Sequence, residues 1–411
     1  MIDTQADASV VAAAQEVSCG TWLRESFSSS KPLHVLTLTP FYPSLQDDGE
    51  GCFIAEPLQW LEPHGIRSSV LAVRPVYRGR AQRNPDVYPA AWMRYLAVPS
   101  GMGLPTSGRF LYARVRRAVL QRHARERLHL IHAHAALPCG HAALLLAGEL
   151  GIPYVVSVHG RDAFSSRQVA GLAGQWCRRI SREVYRSAQN VICVSRKVRE
   201  EIIAGVECRT SVVYNGVNTN NFFPAADSRG GDPIVLSIGN LIPTKGHDVL
   251  LRAFAKVQDA HPRVRCKIIG SGPEHGRLVK LAEELGIRHR VEFMGRQTRE
   301  SVANALRAGT VFALASSYEA LGCVYLEAMA TAKPTIACHG QGIGEVIENG
   351  VNGILMKPDD PCAMAEALRS LLRDADLCSR MGMAARRTVV ENFTLAHQAE
   401  HLDRIYRECA Q

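Results

Sequence analysis

Aromatic residues make up only 6% of the 411 positions. Single-stranded nucleic acid is held largely by bases stacking on aromatic side chains, so nucleic acid is not an expected partner despite a net charge of +9. The 12 cysteines contain no Cys-x-x-Cys pair and no regular spacing. That argues against a zinc site and a disulfide scaffold, and for a reducing cytoplasm in which each cysteine is a small buried hydrophobe. No run of about eighteen apolar residues occurs, so no transmembrane helix is expected. The longest apolar region, 135–158, is broken by His141 and Glu149. Residues 1–30 lack a basic start followed by an apolar run, so no signal peptide is expected there, and they read as a loose extension.

Acidic residues are scarce in one part of the chain. Residues 51–200 carry 22 Lys and Arg against 8 Asp and Glu, whereas 225–411 carry 23 against 22. Such an asymmetry suits a nucleic acid, an anionic membrane surface or an acidic substrate, and equally a well-solvated basic surface.

What is present centres on 315–349, ASSYEALGCVYLEAMATAKPTIACHGQGIGEVIEN. The apolar run 310–315 predicts a buried parallel strand, and 321–332 a helix rich in Ala, Leu, Met and Glu. Glu319 then sits on the loop at the strand's carboxyl end, and Glu327 in the second turn of the helix. A helix start offers free N–H groups and partial positive charge, which suit a phosphate. Gly322 lets backbone approach a ligand with no Cβ in the way. Glu327 can accept from a ribose hydroxyl pair, and Glu319 can face a reacting sugar. On spacing alone, two surface glutamates flanking a core helix explain the pair as well. The next passage is a strand at 335–338 and the turn Gly340-Gln341-Gly342-Ile343-Gly344-Glu345. It aims a second loop at the same sheet edge, where open α/β sheets bind ligands.

Taken in order, 34–39 is a strand that runs into a glycine-bearing loop at 40–51. A helix at 52–64 carries Pro57 and Pro63 and is short or kinked. After a strand at 68–73, residues 74–108 read as loop. The helix 110–128 places Leu111, Val115, Ala118 and Val119 on one face and six arginines around much of the remainder. It either lies on an anionic bilayer or covers the sheet. Strands at 130–134 and 153–158 end at His134 and at His159-Gly160-Arg161-Asp162. A His-Gly turn there can point an imidazole into a cleft, although each histidine is also readable as a core residue. The polar, Pro- and Gly-rich stretch 224–231 separates two units. The second begins with a strand at 234–238 and the loop GNLIPTKG, whose Lys245 at a helix start forms a plausible phosphate clamp. It lacks the P-loop spacing. Gly270 and Gly272 echo a dinucleotide motif, but Gly276 comes one residue late. A strand and turn end at Gly295.

With these residues in place, the chain resembles the retaining glycosyltransferases of family 4. The resemblance covers 33–408 and is densest over 233–360. It rests on GNLIPTKGHDVLLRAF, IIGSGPE, SYEALGCVYLEAMATAKPTIAC and GIGEVIENGVNGILMKPDD. PFYPSLQDDGEG and SVHGRD look similar to bacterial polysaccharide-building and cell-envelope members. The resemblance implies an α/β protein of GT-B fold, with two facing Rossmann-like domains of parallel sheets and the reaction in the cleft between them. Residues 31–224 would bind the acceptor and 225–385 the nucleotide-sugar, with 386–411 crossing back to the N-terminal domain.

Residue by residue, the resemblance makes Lys245 the diphosphate-binding lysine, Glu327 the ribose ligand, and Glu319 the glutamate near the transferred sugar's hydroxyls. Backbone N–H groups at Leu321 and Gly322 meet the diphosphate, flanked by Ala320 and Cys323. Gly239, Asn240, Gly272 and Gly295 fall on donor-binding loops, and Gly51 on the loop that covers the donor. His159 faces the anomeric centre and, with Lys245 and Glu319, completes the implied catalytic set. His134, Arg161 and Asp162 are expected on the acceptor side. The family usually carries Arg just after the first-loop glycine; here that place is Asn240, a hydrogen-bond donor without charge.

No metal and no cofactor are implied, and no Asp-x-Asp motif lies where it would hold a metal usefully. The donor is expected to be a UDP-sugar in preference to a GDP-sugar. The acceptor is expected to be a glycan or lipid-linked sugar, with the protein cytoplasmic or peripheral at the inner face of the plasma membrane. A GT-B protein that has lost catalysis through Asn240, or a basic membrane- or nucleic-acid-binding protein, remains the alternative.

Overall fold

A computed structural model describes residues 31–99, 101–164, 169–225 and 231–411. The expected extension 1–30 and most of the expected separator at 224–231 lie outside the described residues. Near-continuous apolar runs such as HVLTLT, YVVSV and IVLSI belong to strands covered on both faces, and each forms a strand of a parallel sheet. The first sheet contains β1 (Leu33–Thr39), β2 (Ile66–Pro75), β3 (Ala90–Tyr95), β4 (Leu130–His134), β5 (Tyr154–Val158), β6 (Asn190–Cys193) and β7 (Thr210–Val212). Its order is β3-β2-β1-β4-β5-β6-β7. The second contains β8 (Ile234–Ile238), β9 (Arg265–Ile269), β10 (Val291–Gly295), β11 (Val311–Ala313), β12 (Thr335–Cys338) and β13 (Ile354–Met356), in the order β10-β9-β8-β11-β12-β13. The order reverses between β1 and β4, and again between β8 and β11. Loops leaving the strands at such reversals make the crevice where α/β folds hold ligands.

The helices around the first sheet are α1 (Cys52–Leu61), α2 (Leu104–Arg125), α3 (His141–Leu150), α4 (Gly171–Ser187) and α5 (Arg196–Ile203). Those of the second are α6 (His247–Ala255), α7 (His275–Glu284), α8 (Arg299–Ala308), α9 (Cys323–Ala330) and α10 (Pro361–Arg373). Two helices, α11 (Ala375–Asn392) and α12 (Leu395–Cys409), close the chain. Among the described residues no helix is long and apolar enough to cross a membrane.

Three local expectations need correction. The stretch 74–108 is not all loop, because AAWMRY forms β3. This strand lies at the sheet edge and is only partly buried, so Arg94 and exposed Ala91 dilute its apolar pattern. The arginine-rich helix begins at Leu104 rather than 110, with Pro105 in its first turn where a missing N–H costs nothing. It buries Leu111, Val115 and Val119 and leaves Arg109, Arg114, Arg116 and Arg117 exposed. The helix after Glu319 is shorter than 321–332, because Gly322 stands at φ 91 and Ala332 at φ 56 on either side of it.

The last helix returns to the first domain. Ala399, Leu402, Ile405 and Tyr406 join Ile54, Leu58 and Leu61 in one buried cluster. Gly216 N–H donates to Gln398 Oε1 (2.8 Å), and the Gln398 amide donates to Phe53 O (3.2 Å). The Tyr406 hydroxyl lies 2.6 Å from His132 Nδ1, both groups being buried. Removing one partner of a buried hydrogen bond costs the desolvation of the other. Tyr406→Phe is therefore expected to lower stability by about 1–3 kcal/mol, read as a shifted denaturant midpoint. An unshifted midpoint would show that this contact does not anchor the returning helix.

Candidate active site

A cleft of about 670 Å3 opens between the carboxyl ends of the two sheets. Its C-terminal wall begins with Gly239 and Asn240 after β8, followed by the short 3-10 turn Pro243–Lys245. Gly246 ends this turn at φ 64, and a Cβ there would stand 2.2 Å from Ala315 O. Glycine at 246 thus lets the lysine loop press against the end of β11. Lys245 Nζ makes an ion pair with Glu319. Ser316 Oγ donates to the same Glu319 oxygen (2.9 Å), and the Glu319 N–H donates to Gln341 Oε1 (3.0 Å). The glycine-rich turn at 340–345 supports this loop from behind. A Cβ on Gly342 would lie 1.7 Å from Ala320 O.

The chain from Ala320 to Val324 then lines the cleft and leads into α9. A helix's first N–H groups lack the carbonyl partner of the preceding turn, and those leading into α9 ahead of Tyr325, whose own N–H donates to Gly322 O at 3.0 Å, present partial positive charge. Glu327, buried one turn further on, receives a hydrogen bond from Arg299 at 2.8 Å. Arg299 also pairs with Glu56 of α1 at 2.8 Å. Its backbone N–H donates to Asp48 (2.9 Å), and Arg296 pairs with Asp47. This charge network ties the loop at 47–50 and helix α1 to the second domain. Sequence reasoning missed Arg299 and Glu56. The only available signal was their place in segments bordering strand-end loops, since nothing in the spacing joins position 56 to 299. Asn240 puts no charge beside Gly239, while Arg299 and Arg161 bring guanidinium groups to the same cleft from other elements.

The N-terminal wall is built on β5. His159 lies against Phe53, with ring centroids 4.8 Å apart, and its Nε2 is 3.0 Å from His134 Nδ1. The two imidazoles stack with an interplanar angle of 16°. Burial lowers the His159 pKa to about 3, so the ring that borders the cleft is neutral. His134 is lowered as well, by burial and by His132 beside it. The buried Nδ1 of His159 has no hydrogen-bond partner among the described residues. Gly160 follows at φ 120, and a Cβ there would meet Ala320 Cβ at 2.6 Å. The two walls touch at this point. Arg161 lines the cleft, with its guanidinium 5.6 Å from the Tyr318 ring centre.

One cleft therefore gathers His159, Arg161, Gly239, Asn240, Lys245, Glu319, Ala320, Leu321, Gly322, Cys323 and Glu327. Five other expected residues stand outside its lining. His134 lies behind His159. Asp162 is buried and accepts the His159 N–H at 3.0 and 3.2 Å, so it braces the turn. Gly51, at φ 75, folds its loop against Phe41, and Asp48 and Gly49 are the loop residues that reach the cleft. Gly272 allows close passage of Leu241 O, 2.3 Å from where its Cβ would stand. Gly295 is a left-handed turn at the end of β10. Among the described residues no group of His, Cys, Asp and Glu is arranged to hold a metal ion, and the cysteines are free.

Residues 53–221 match the family model described as Glycosyltransferase Family 4, and residues 218–388 the model described as Glycosyl transferases group 1. The chain is similar to the D-inositol 3-phosphate glycosyltransferase of Corynebacterium jeikeium, 31% identical over 303 residues, spanning 68% of this chain and 72% of that protein. It is 33% identical over 284 residues to the protein of the same name from Streptomyces avermitilis, covering 63% of this chain and 61% of that one. Among solved structures, sucrose-phosphate synthase from Thermosynechococcus elongatus superposes with a TM-score of 0.76 at 22% identity, covering 92% of this chain and 98% of that one. HepE of Anabaena, solved with UDP-glucose, gives a TM-score of 0.72 at 19% identity, covering 92% of this chain and all (100%) of that one. At these identities the structural likeness establishes the fold.

Burial raises the Asp162 pKa from 3.8 to about 7, against the backbone hydrogen bonds that favour its ionised form. A carboxyl with a raised folded-state pKa contributes stability at low pH that is lost as pH rises through the folded value. Asp162→Asn keeps an acceptor for the His159 N–H and removes the titration. The stability of the variant relative to wild type is therefore expected to climb between pH 3.8 and about 7. A level difference curve across that window would refute the buried-carboxyl account.

Proposed function

The chain belongs to the family 4 glycosyltransferases of GT-B fold, and from that premise we propose that it transfers a hexose, with retention, from a UDP-sugar to a glycan or lipid-linked acceptor in polysaccharide or cell-envelope assembly. One observation carries the reading. Lys245, Glu319, Glu327 and the N–H groups leading into α9 line one wall of a single cleft, and His159 lines the other. The UDP-glucose bound in the HepE crystal structure supports a uridine donor.

In this reading Glu327 accepts from the ribose hydroxyls, with its carboxylate oriented by Arg299. The diphosphate lies between Lys245 and the start of α9. The bond from the anomeric carbon to the β-phosphate oxygen breaks, and its electron pair leaves with the diphosphate. The acceptor oxygen bonds to the same carbon on the same face, and its proton passes to the departing phosphate oxygen. Preorganised positive charge placed where negative charge develops is the main source of acceleration in such a site. A lysine and the N–H groups at Leu321–Val324 supply it without a metal. Glu319 accepts from the hydroxyls of the transferred sugar at Oε2, while Lys245 and Ser316 hold its Oε1. Neutral His159 fits an orienting role beside the anomeric centre.

The basic face of α2 supports docking at an anionic membrane, where a lipid-linked acceptor resides. Exposed Met102 and Phe110 flank exposed Arg109 and Arg114 at one end of that helix. Cations together with apolar side chains at one surface are what an interfacial helix uses.

UDP is expected to raise the melting temperature by mass action, and Glu327→Ala to weaken UDP binding roughly tenfold. Lys245→Ala is expected to lower kcat about a hundredfold, and EDTA to leave turnover unchanged. Wild-type kinetics in both variants would sink the site assignment. For the membrane, co-sedimentation is expected with vesicles containing phosphatidylglycerol and not with pure phosphatidylcholine. Equal binding to both counts against the docking face.

A further inference from the structure

The histidine that borders the cleft stands at the end of a row of three. His132 and His134 are two residues apart on β4, so their side chains share one face of the sheet. The parallel register sets His134 beside Ser157 on β5, and His159 comes just past the end of that strand. The three rings are layered. The centroids of His132 and His134 are 4.2 Å apart, and those of His134 and His159 5.3 Å. His132 has both nitrogens engaged, Nδ1 with the Tyr406 hydroxyl (2.6 Å) and Nε2 with Ser157 Oγ (2.7 Å). It is a fixed wall against which His134 packs. His134 Nδ1 in turn lies 3.0 Å from His159 Nε2. His134 is itself buried, and the space where the three rings meet measures about 20 Å3. That volume suits a water molecule and excludes a sugar, so His134 meets the cleft through His159 and not directly.

A neutral imidazole has one N–H and one bare nitrogen, and the partner of one nitrogen decides the state of the other. All three rings are held neutral. Burial lowers His132 and His159 to about 3, and burial together with His132 holds His134 well below its ordinary value. A single proton therefore lies between His134 Nδ1 and His159 Nε2. Its side of the bond sets whether His159 Nδ1 is a donor or an acceptor. That Nδ1 is buried and has no partner among the described residues, so it does not select the tautomer. Phe53 offers the ring an apolar neighbour at 4.8 Å and no hydrogen bond. We propose that His134 is a positioning residue, which fixes the tautomer and ring orientation of His159 at the cleft through this one hydrogen bond. For its effect on turnover the proposal rests on the transferase reading; for its effect on His159 it rests on the geometry alone.

The test is nitrogen NMR of the full chain labelled at histidine, with the His159 signals assigned by their loss in His159→Gln. Wild type is expected to show one protonated and one bare nitrogen in that ring. In His134→Phe the pair is expected to collapse to a mixture of tautomers. In His134→Asn, whose amide occupies the place of Nδ1, a single tautomer is expected to persist. The kinetic readout is UDP release from UDP-glucose with water as acceptor. His134→Phe is expected to lower its kcat roughly tenfold with KM held within about twofold, and His134→Asn to recover most of the loss. His134→Gln carries its amide one bond too far and is expected to behave as His134→Phe does, and it replaces that variant if the latter does not fold. The proposal is overturned if the His159 nitrogens of His134→Phe match wild type, if the Asn and Phe variants lose kcat alike, or if KM rises with kcat unchanged. Should UDP fail to bind or UDP-glucose not turn over, the donor reading falls separately, and the nitrogen spectra alone decide the role of His134.

Discussion

A single partly buried guanidinium joins the two halves of this protein where the donor is expected to bind. Arg299 sits between Glu56 on the first domain and Glu327 on the second, with side-chain exposures of 19%, 18% and 8%. Taking three charges out of water is expensive, and their attraction repays the cost only when the geometry is good. Both contacts are 2.8 Å. The Arg299 backbone N–H binds Asp48, and the guanidinium lies 5.1 Å from the Phe222 ring centre. The arrangement fixes three things together. It orients Glu327, draws the loop at 47–50 over the cleft, and sets how closely α1 and α8 approach. Loss of the guanidinium would leave two neighbouring carboxylates facing each other without a cation, so the network favours one relative placement of the domains over a continuum.

Most of the architecture was legible because parallel strands buried on both faces announce themselves as short apolar runs. The runs at 34–39, 130–134, 153–158 and 234–238 all became inner strands, and the loops after the first, third and fourth line the cleft. Strand β3 escaped notice because an edge strand satisfies fewer constraints. Its neighbour covers one side only, so Arg94 is tolerated and the apolar pattern breaks. In the site, Lys245, Glu319, Glu327 and His159 were legible because each follows a strand at a short, readable distance. Arg299 was not, because its partners Glu56 and Glu327 lie far away in the chain and only folding brings them together. Gly272, Gly295 and Gly342 teach a different point. Their glycine identity answers to backbone crowding or a left-handed turn, and short glycine motifs look alike whether they serve a ligand or a turn.

The unequal charge of the two halves follows from where positive charge is needed. In the proposed reading the second domain faces a diphosphate yet is almost neutral, and would meet that anion locally, with one lysine and the oriented N–H groups before α9, which add no net charge. The first domain carries its arginines away from the donor, on the outer face of α2 and in a cavity beside Arg161. That distribution does little for the leaving group. In the proposed reading it suits a donor site built from geometry and an acceptor met at a charged surface. Asn240 is compatible with this division. The charge absent at position 240 is one that Arg161 can supply to the field of the cleft, whereas the charge of Arg299 is taken up by Glu56 and Glu327.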